Sequence, residues 1–254
     1  MNIKSDLKLF YNSQAEKYSN TRKKYRPDSD IIIEEIRKYW KKTISILEFG
    51  CGSWRLIAYL QWIKWIKIKY TGIDTSDKLL NFAEKEIKKN KTDYKLINDD
   101  IVNYVKEFGQ ETFDFIIGTS SFQHIPTAKE RFFLMKNFYR ILKYNWKVII
   151  INRSFSRWFI RKYINELSKW VIRFLISFWK KDRKDLFIPR KANDKVYPRF
   201  YHIYTIPELE NLSSVSWLVV DKLWYLDQQW KIINKRQNAK SSILIWGKSI
   251  FLQK

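Results

Sequence analysis

The sequence predicts an α/β protein: a doubly wound, mostly parallel sheet with helices on both faces and a basic helical insertion ahead of its last helix and strands. Three observations predict it. Apolar strand-like runs alternate with amphipathic helical segments from about residue 44 to 152. The first run closes on Glu48-Phe49-Gly50-Cys51-Gly52, an acid followed by a glycine turn. From Arg153 to Arg199 the alternation stops and basic and aromatic residues take over.

Ile44–Phe49 and Lys67–Ile73 are apolar runs of strand length, with Leu56, Ile57, Tyr59, Leu60 and Ile63 at helical spacing between them. Leu79, Leu80, Ala83 and Ile87 mark a helix over Ser76–Lys89, with Ser76 as its N-cap. Tyr94–Ile97, Phe113–Ile117 and Lys147–Ile151 read as three more buried strands. Between the last two, Phe132, Met135, Phe138, Tyr139 and Leu142 share one face of a helix over Ala128–Leu142. A basic amphipathic helix is expected over about 155–179, and Lys180–Lys184, Pro189-Arg190-Lys191 and Tyr197-Pro198-Arg199 come after it. Thr205–Leu212 reads as a helix with Pro207 in its first turn. Val215–Leu226 and Ser241–Leu252 read as an antiparallel pair closing the sheet.

Composition bounds the function classes. The chain of 254 residues suits one sizeable domain with an insertion. It carries 49 Lys+Arg against 26 Asp+Glu, a net charge of +23. Such self-repulsion fits a polyanionic partner such as nucleic acid, or a lysine-rich proteome from an AT-rich gene. The single cysteine, Cys51, excludes an internal disulfide and points to a reducing, cytoplasmic setting. One Cys with His124 and His202 does not assemble an ordinary zinc site, and no metal is expected. Met1–Phe10 alternates charged and apolar residues, unlike a signal peptide. Charges at Arg157, Arg161, Lys162, Glu166, Lys169 and Arg173 interrupt Phe155–Trp179, so no stable membrane insertion is expected.

Three features narrow the glycine turn. Glu48 precedes it, giving E-x-G-x-G. Asp74 ends the second strand, where an acid can accept both hydroxyls of a ribose. Asp100, in Asn98-Asp99-Asp100-Ile101, ends the third, where an acid can accept an adenine amine. In these pieces, together with Tyr70-Thr71-Gly72-Ile73-Asp74-Thr75-Ser76, Phe113–Ile125 and Leu142–Ile151, residues 44–152 resemble the class I S-adenosylmethionine-dependent methyltransferases. The resemblance implies a Rossmann-like, seven-stranded sheet whose last strand is antiparallel, and S-adenosyl-L-methionine as cofactor. It implies cofactor contacts at Glu48, Gly50, Gly52, Asp74, Thr75, Asp100, Ile101 and Thr119, with the Gly118–Ser120 backbone under the methionine end.

A narrower resemblance spans nearly the whole chain: the tRNA methyltransferases that esterify a wobble carboxymethyluridine. Its residues are Phe10 to Arg22, Ile125 to Arg131, and Asp185-Leu186-Phe187-Ile188-Pro189 with Arg199-Phe200-Tyr201-His202 and Glu208-Leu209. Arg190 departs from that pattern, which has Trp there, and Gln123 replaces the first of two paired histidines. The resemblance implies tRNA as the partner and admits a small activator subunit. It divides the single domain into an N-terminal helical lid over 1–40, a cofactor-binding half over 41–152, a basic substrate cap over 153–200, and a closing helix with two strands over 201–254.

A carboxylate acceptor is already ionised at neutral pH and needs no general base, which suits a chain with two histidines. Such an acceptor does need cationic groups, and Arg190, Arg199, Tyr201 and His202 are the candidates. His202 reads equally as a structural histidine, and His124 as either orienting substrate or packing below the cofactor. Tyr18 and Arg22 either close over the cofactor or form an exposed amphipathic helix. Lys180, Lys181, Arg183, Lys184 and Lys191 would contact RNA phosphates, with nearby tyrosines and phenylalanines stacking on a base. The alternative acceptor is a small molecule or lipid, with the basic helix as a membrane-surface lid.

The chain has 6 Gly and 12 Trp. A soluble domain of this size averages roughly 18 Gly. Trp54, Trp146, Trp217, Trp224 and Trp246 stand where the family carries glycine. Either these are UGA codons that the source organism reads as glycine, or they are true aromatics of a nucleic-acid binder.

Overall fold

In a computed structural model, the structure describes residues 2–21, 27–39, 41–53, 55–60, 63, 65–88, 93–154, 157–165, 184–192, 195–227, 229, 231–233, 239 and 241–248. Three helices open the chain: α1 (Ile3–Ser13), α2 (Ala15–Thr21) and α3 (Asp28–Arg37). The alternation then runs β1 (Thr43–Phe49), α4 (Arg55–Leu60), β2 (Lys67–Asp74), α5 (Asp77–Lys88), β3 (Asp93–Asn98), α6 (Ile101–Tyr104), β4 (Phe113–Thr119), α7 (Ala128–Ile141) and β5 (Leu142–Arg153). After it come α8 (Arg157–Lys162), β6 (Asp185–Ala192), β7 (Lys195–His202), α9 (Ile206–Ser214), β8 (Val219–Leu226), β9 (Ile232–Ile233) and β10 (Ser241–Gly247).

The central sheet has the order β3-β2-β1-β4-β5-β10-β8-β9. β1 to β5 are mutually parallel, whereas β10 lies antiparallel to both β5 and β8. The expected antiparallel closing pair is therefore present, but the sheet has eight strands, not seven. The extra one, β9, is two residues long and pairs with the end of β8.

Burial on both faces explains the continuous apolar strands. In β4, Phe115 and Ile117 pack into the core under α3, α4 and α5, while Ile116 faces the core under α6, α7 and α9. Caps fix two of the helices. Ser76 Oγ accepts from the Leu79 amide at 3.2 Å at the start of α5. Thr127 and Glu130 form a reciprocal capping box at α7.

Residues 153–200 differ from the expected helical insertion. Of the helix expected over about 155–179, α8 is described, and 166–183 lie outside the described residues. Next in the chain is a β-hairpin, β6–β7, which forms a separate two-stranded sheet. Its face carries Leu186, Ile188 and Tyr201 into a small core with Phe159 and Ile203. Among the described residues no helix is long and apolar enough to cross a membrane.

The suspect tryptophans fall in different settings. Trp217 has φ +58°, in the left-handed region, and is 61% exposed. Trp246 is fully buried at a register shift in β10, and its indole N–H has no acceptor. Trp146 follows Asn145, which has φ +65°, and stacks on Tyr39 at 4.4 Å. Trp224 is half-buried. Trp54 lies outside the described residues.

Candidate active site

The turn after β1 is drawn tight by the end of β2. The amides of Gly50 and Cys51 both donate to the Ile73 carbonyl, at 2.7 and 3.2 Å. Gly50 and Gly52 have φ of +65° and +59°, a backbone that side-chain-bearing residues adopt at a cost. A side chain at Gly50 would collide with Ser121, whereas the space beside Gly52 is open. That open space belongs to a cavity at the carboxyl ends of β1, β2, β3 and β4, the place where doubly wound sheets bind ligands.

Asp74 pins this turn from the next strand. One of its oxygens accepts from the Gly52 amide and the other from the Ser76 amide, both at 2.9 Å. Burial raises the pKa of Asp74, and the amides of Ser76, Gly52 and Thr75 work against that rise. Glu48 lies deeper, 1% exposed, and accepts from the Tyr70 hydroxyl at 2.6 Å. Burial pushes its pKa up to about 8, although Tyr70, Arg55 and Thr119 favour the ionised form. Asp100 caps α6 through the Val102 amide at 2.9 Å, and its second oxygen meets Lys4 Nζ at 2.8 Å. Glu48, Asp74, Asp99 and Asp100 therefore all line one cavity, with Glu48 the most deeply buried of them.

α1 and α2 form the opposite wall, with Lys4, Leu7, Tyr11 and Tyr18 lining the cavity. Its far end meets the hairpin. His124 is enclosed: one ring nitrogen, Nδ1, lies 2.6 Å from the Phe200 carbonyl and the other, Nε2, 3.2 Å from the Tyr11 hydroxyl. A carbonyl can only accept, so Nδ1 carries the proton. Burial holds the His124 pKa down to about 4, so the ring is neutral and Nε2 accepts from Tyr11.

Tyr201 stands 4.7 Å from the His124 ring, and Arg199 lies beside it. The Arg199 guanidinium is sandwiched between the rings of Phe10, at 5.0 Å, and Tyr201, at 5.2 Å. Arg199 is 6% exposed, and its Nε has no hydrogen-bond partner among the described residues. Burial opposes its charge, yet the surrounding Tyr201, Tyr11, Tyr18 and Tyr163 hold its pKa above the ordinary value. No carboxylate is among those neighbours.

Of the residues proposed from the sequence, Tyr18, Glu48, Gly50, Gly52, Asp74, Thr75, Asp100, Ile101, Thr119 and His124 line the one cavity. Arg199 and Tyr201 border it through His124. His202 is elsewhere: fully buried, with Nδ1 2.6 Å from Asp185 and Nε2 2.7 Å from Glu208. Burial works against its charge, but the two carboxylates raise its pKa, and the ring clasps the hairpin to α9.

Arg190 is exposed on β6, opposite Tyr197. Lys184 pairs with Glu208 at 3.0 Å, within the His202 clasp. Lys191 is a backbone member of β6, and Arg22, Lys180, Lys181 and Arg183 lie outside the described residues. Sequence reasoning gave Lys4, Leu7, Phe10 and Tyr11 no role in the site, although Phe10 and Tyr11 open the segment that carries the narrower resemblance. Their spacing along one helical face was the available signal.

The comparisons with known proteins agree with this geometry. A family model described as a methyltransferase domain matches residues 46–145. No curated protein sequence matches the chain. Solved structures share the fold at low identity. An S-adenosylmethionine-dependent methyltransferase from Methanosarcina mazei is 18% identical with a TM-score of 0.64, over 84% of this chain and 96% of that one. Another from Clostridium acetobutylicum is 17% identical with a TM-score of 0.63, over 94% and 99%. A 1,6-didemethyltoxoflavin-N1-methyltransferase from Burkholderia thailandensis is 12% identical with a TM-score of 0.60, over 96% and 88%. The chain thus carries a methyltransferase domain over residues 46–145, with acids set around an open cradle at Gly52, and shares the fold of S-adenosylmethionine-dependent methyltransferases.

Proposed function

We propose that the methyl acceptor is a carboxylate, namely the carboxymethyl group of a wobble uridine in tRNA, which the enzyme converts to its methyl ester. The observation that carries the acceptor class is Arg199, a buried cation among tyrosines whose Nε has no partner and which pairs with no carboxylate among the described residues. A buried charge left in that state is poised for an anion. His124 supports the same class. Held at about 4, it is a poor base at neutral pH, so the acceptor must arrive ionised.

S-adenosylmethionine supplies the methyl group. Glu48, Asp74, Thr75, Asp100 and Ile101 would hold it, over the backbone of Gly50, Gly52 and Thr119. Residues 1–40 act as its lid and 153–200 as the substrate cap. Arg199 and Tyr201 orient the acceptor, with Arg190 at the exposed rim. The tRNA assignment rests on the Phe10–Arg22 and Arg199–His202 resemblance and on the net charge of +23.

A second reading, a small anionic acceptor, has its own support. The similar structures include a geranyl diphosphate C-methyltransferase from Streptomyces coelicolor and the didemethyltoxoflavin methyltransferase, both named for small molecules. One experiment separates the two. The protein is incubated with methyl-labelled S-adenosylmethionine and either carboxymethylated tRNA, unmodified tRNA or the free carboxymethyl nucleoside, and the products are digested to nucleosides. The tRNA reading expects a base-labile ester from the carboxymethylated tRNA alone. Label on the free nucleoside at equal efficiency, or on neither, overturns it.

A further inference from the structure

α1 touches both ends of the site. Lys4, Leu7 and Tyr11 share a helical face and all line the cavity. At the cofactor end, Lys4 Nζ lies 2.8 Å from Asp100 and 2.5 Å from Glu130. The other Asp100 oxygen is taken by the Val102 amide, so both oxygens of the acid expected to meet an adenine amine are engaged. At the acceptor end, Tyr11 donates to His124, and Phe10 supports Arg199 and meets Tyr197 at a ring distance of 5.9 Å. Asn12 fastens the C-terminal turn to Ser76 and Asp77, at 2.5 and 2.7 Å.

We propose that α1 couples the two halves of the site: Lys4 competes with the cofactor's adenine amine for Asp100, and the helix carries that exchange to Phe10 and Tyr11 beneath the acceptor chamber. Two features make the exchange accessible. Lys4 is about one-third exposed, and Glu130 remains as its partner when Asp100 is given up. The far contacts are packed, with Arg199 buried and His124 half-buried between the Phe200 carbonyl and Tyr11, so a shift of the helix cannot leave them unchanged. Cofactor and acceptor affinities are then linked, and linkage is reciprocal. The acceptor half of this inference rests on the Arg199 chamber being the acceptor site.

The test uses the full chain, wild type and Lys4→Met, with S-adenosylhomocysteine as the probe. Calorimetry reads its affinity, and amide hydrogen exchange reads the segment 197–202 with and without it. Competition at Asp100 expects Lys4→Met to bind the probe about fivefold more tightly, the scale of a part-exposed ion pair. Coupling expects the probe to change exchange over 197–202 in the wild type and not in the variant. Unchanged or weaker binding by Lys4→Met overturns the competition, and a wild-type segment 197–202 indifferent to the probe overturns the coupling. Neither readout involves the acceptor. A failure to methylate tRNA alongside both expected results would therefore remove the acceptor's identity and leave the coupling standing.

Discussion

Glu48 accepts a 2.6 Å hydrogen bond from the Tyr70 hydroxyl where neither side chain meets bulk water. Burial outweighs that bond and holds the Glu48 carboxyl at about 8. In the free protein Glu48 is therefore mostly protonated at neutral pH. A cationic ligand beside it favours the ionised form, so binding S-adenosylmethionine should release close to one proton at pH 7. Affinity should climb as the pH rises from about 6 towards 8 and level off above. Calorimetry in two buffers of different ionisation enthalpy measures the proton directly. Tyr70→Phe removes a bond that favours the charged form, so the levelling should move to higher pH. Binding with no proton exchange at pH 7 would show that Glu48 does not respond to the ligand's charge.

Arg199 should govern the acceptor and leave the cofactor nearly untouched. Replacing it with Leu keeps the stacking volume between Phe10 and Tyr201 but removes the cation. The acceptor KM should rise roughly 10- to 100-fold, the worth of a charged hydrogen bond. Arg199→Lys should recover part of it, and S-adenosylhomocysteine affinity should change far less. Steady-state kinetics at saturating cofactor separates the two. An Arg199→Leu enzyme with an unchanged acceptor KM would place the anion elsewhere.

The parallel half of the fold was legible because its strands are buried on both faces and so are apolar without interruption, as in Phe113–Thr119. That Glu48, Asp74 and Asp100 meet at one cavity was legible because each follows or ends a strand of the parallel sheet, whose carboxyl ends face the same side. The hairpin was not. Pro189 and Pro198 interrupt β6 and β7, and prolines in a lysine-rich run read as loop. In the structure the two face each other, so the missing N–H groups fall on a single rung. Residues brought together by the tertiary fold were hidden for a different reason. Nothing in the spacing of Asp185, His202 and Glu208 announces that one ring lies between two carboxylates. Lys4 likewise meets Asp100 and Glu130 only after the sheet is assembled.

The His202 clasp predicts a pH-dependent stability. Its pKa is raised in the folded state, so the stabilisation is complete below the ordinary histidine value and is lost as the pH rises through the raised one. Glu208, lowered to about 2, contributes above its ordinary value and loses that only on strong acidification. Thermal unfolding midpoints should therefore fall from pH 6 into the alkaline range. His202→Gln should flatten that slope and cost about 2–4 kcal/mol at pH 6, because it leaves two partly buried carboxylates short of a cation. A variant with wild-type slope would assign the pH dependence to other groups.

Trp217 and Trp246 bear on which polypeptide the fold was selected for. A mostly exposed tryptophan at φ +58°, in contact with Tyr139 and Lys136, gains little burial to offset a left-handed backbone, and glycine adopts that conformation freely. At Trp246 an indole N–H is buried without an acceptor beside a strand irregularity, a setting that suits glycine. Trp217→Gly should therefore stabilise the chain by about 0.5–1 kcal/mol, after allowing for the greater freedom of glycine in the unfolded state. Trp217→Ala keeps the unfavourable φ and should gain less. The gene gives the independent check: UGA at 54, 146, 217 and 246, with glycine in peptides from the source organism, would identify the tryptophans as misread codons. UGG at 54, 146 and 246 would make them genuine. Position 54, two residues after Gly52 in the sequence, would then carry an indole, and affinity for S-adenosylmethionine should rise on Trp54→Gly.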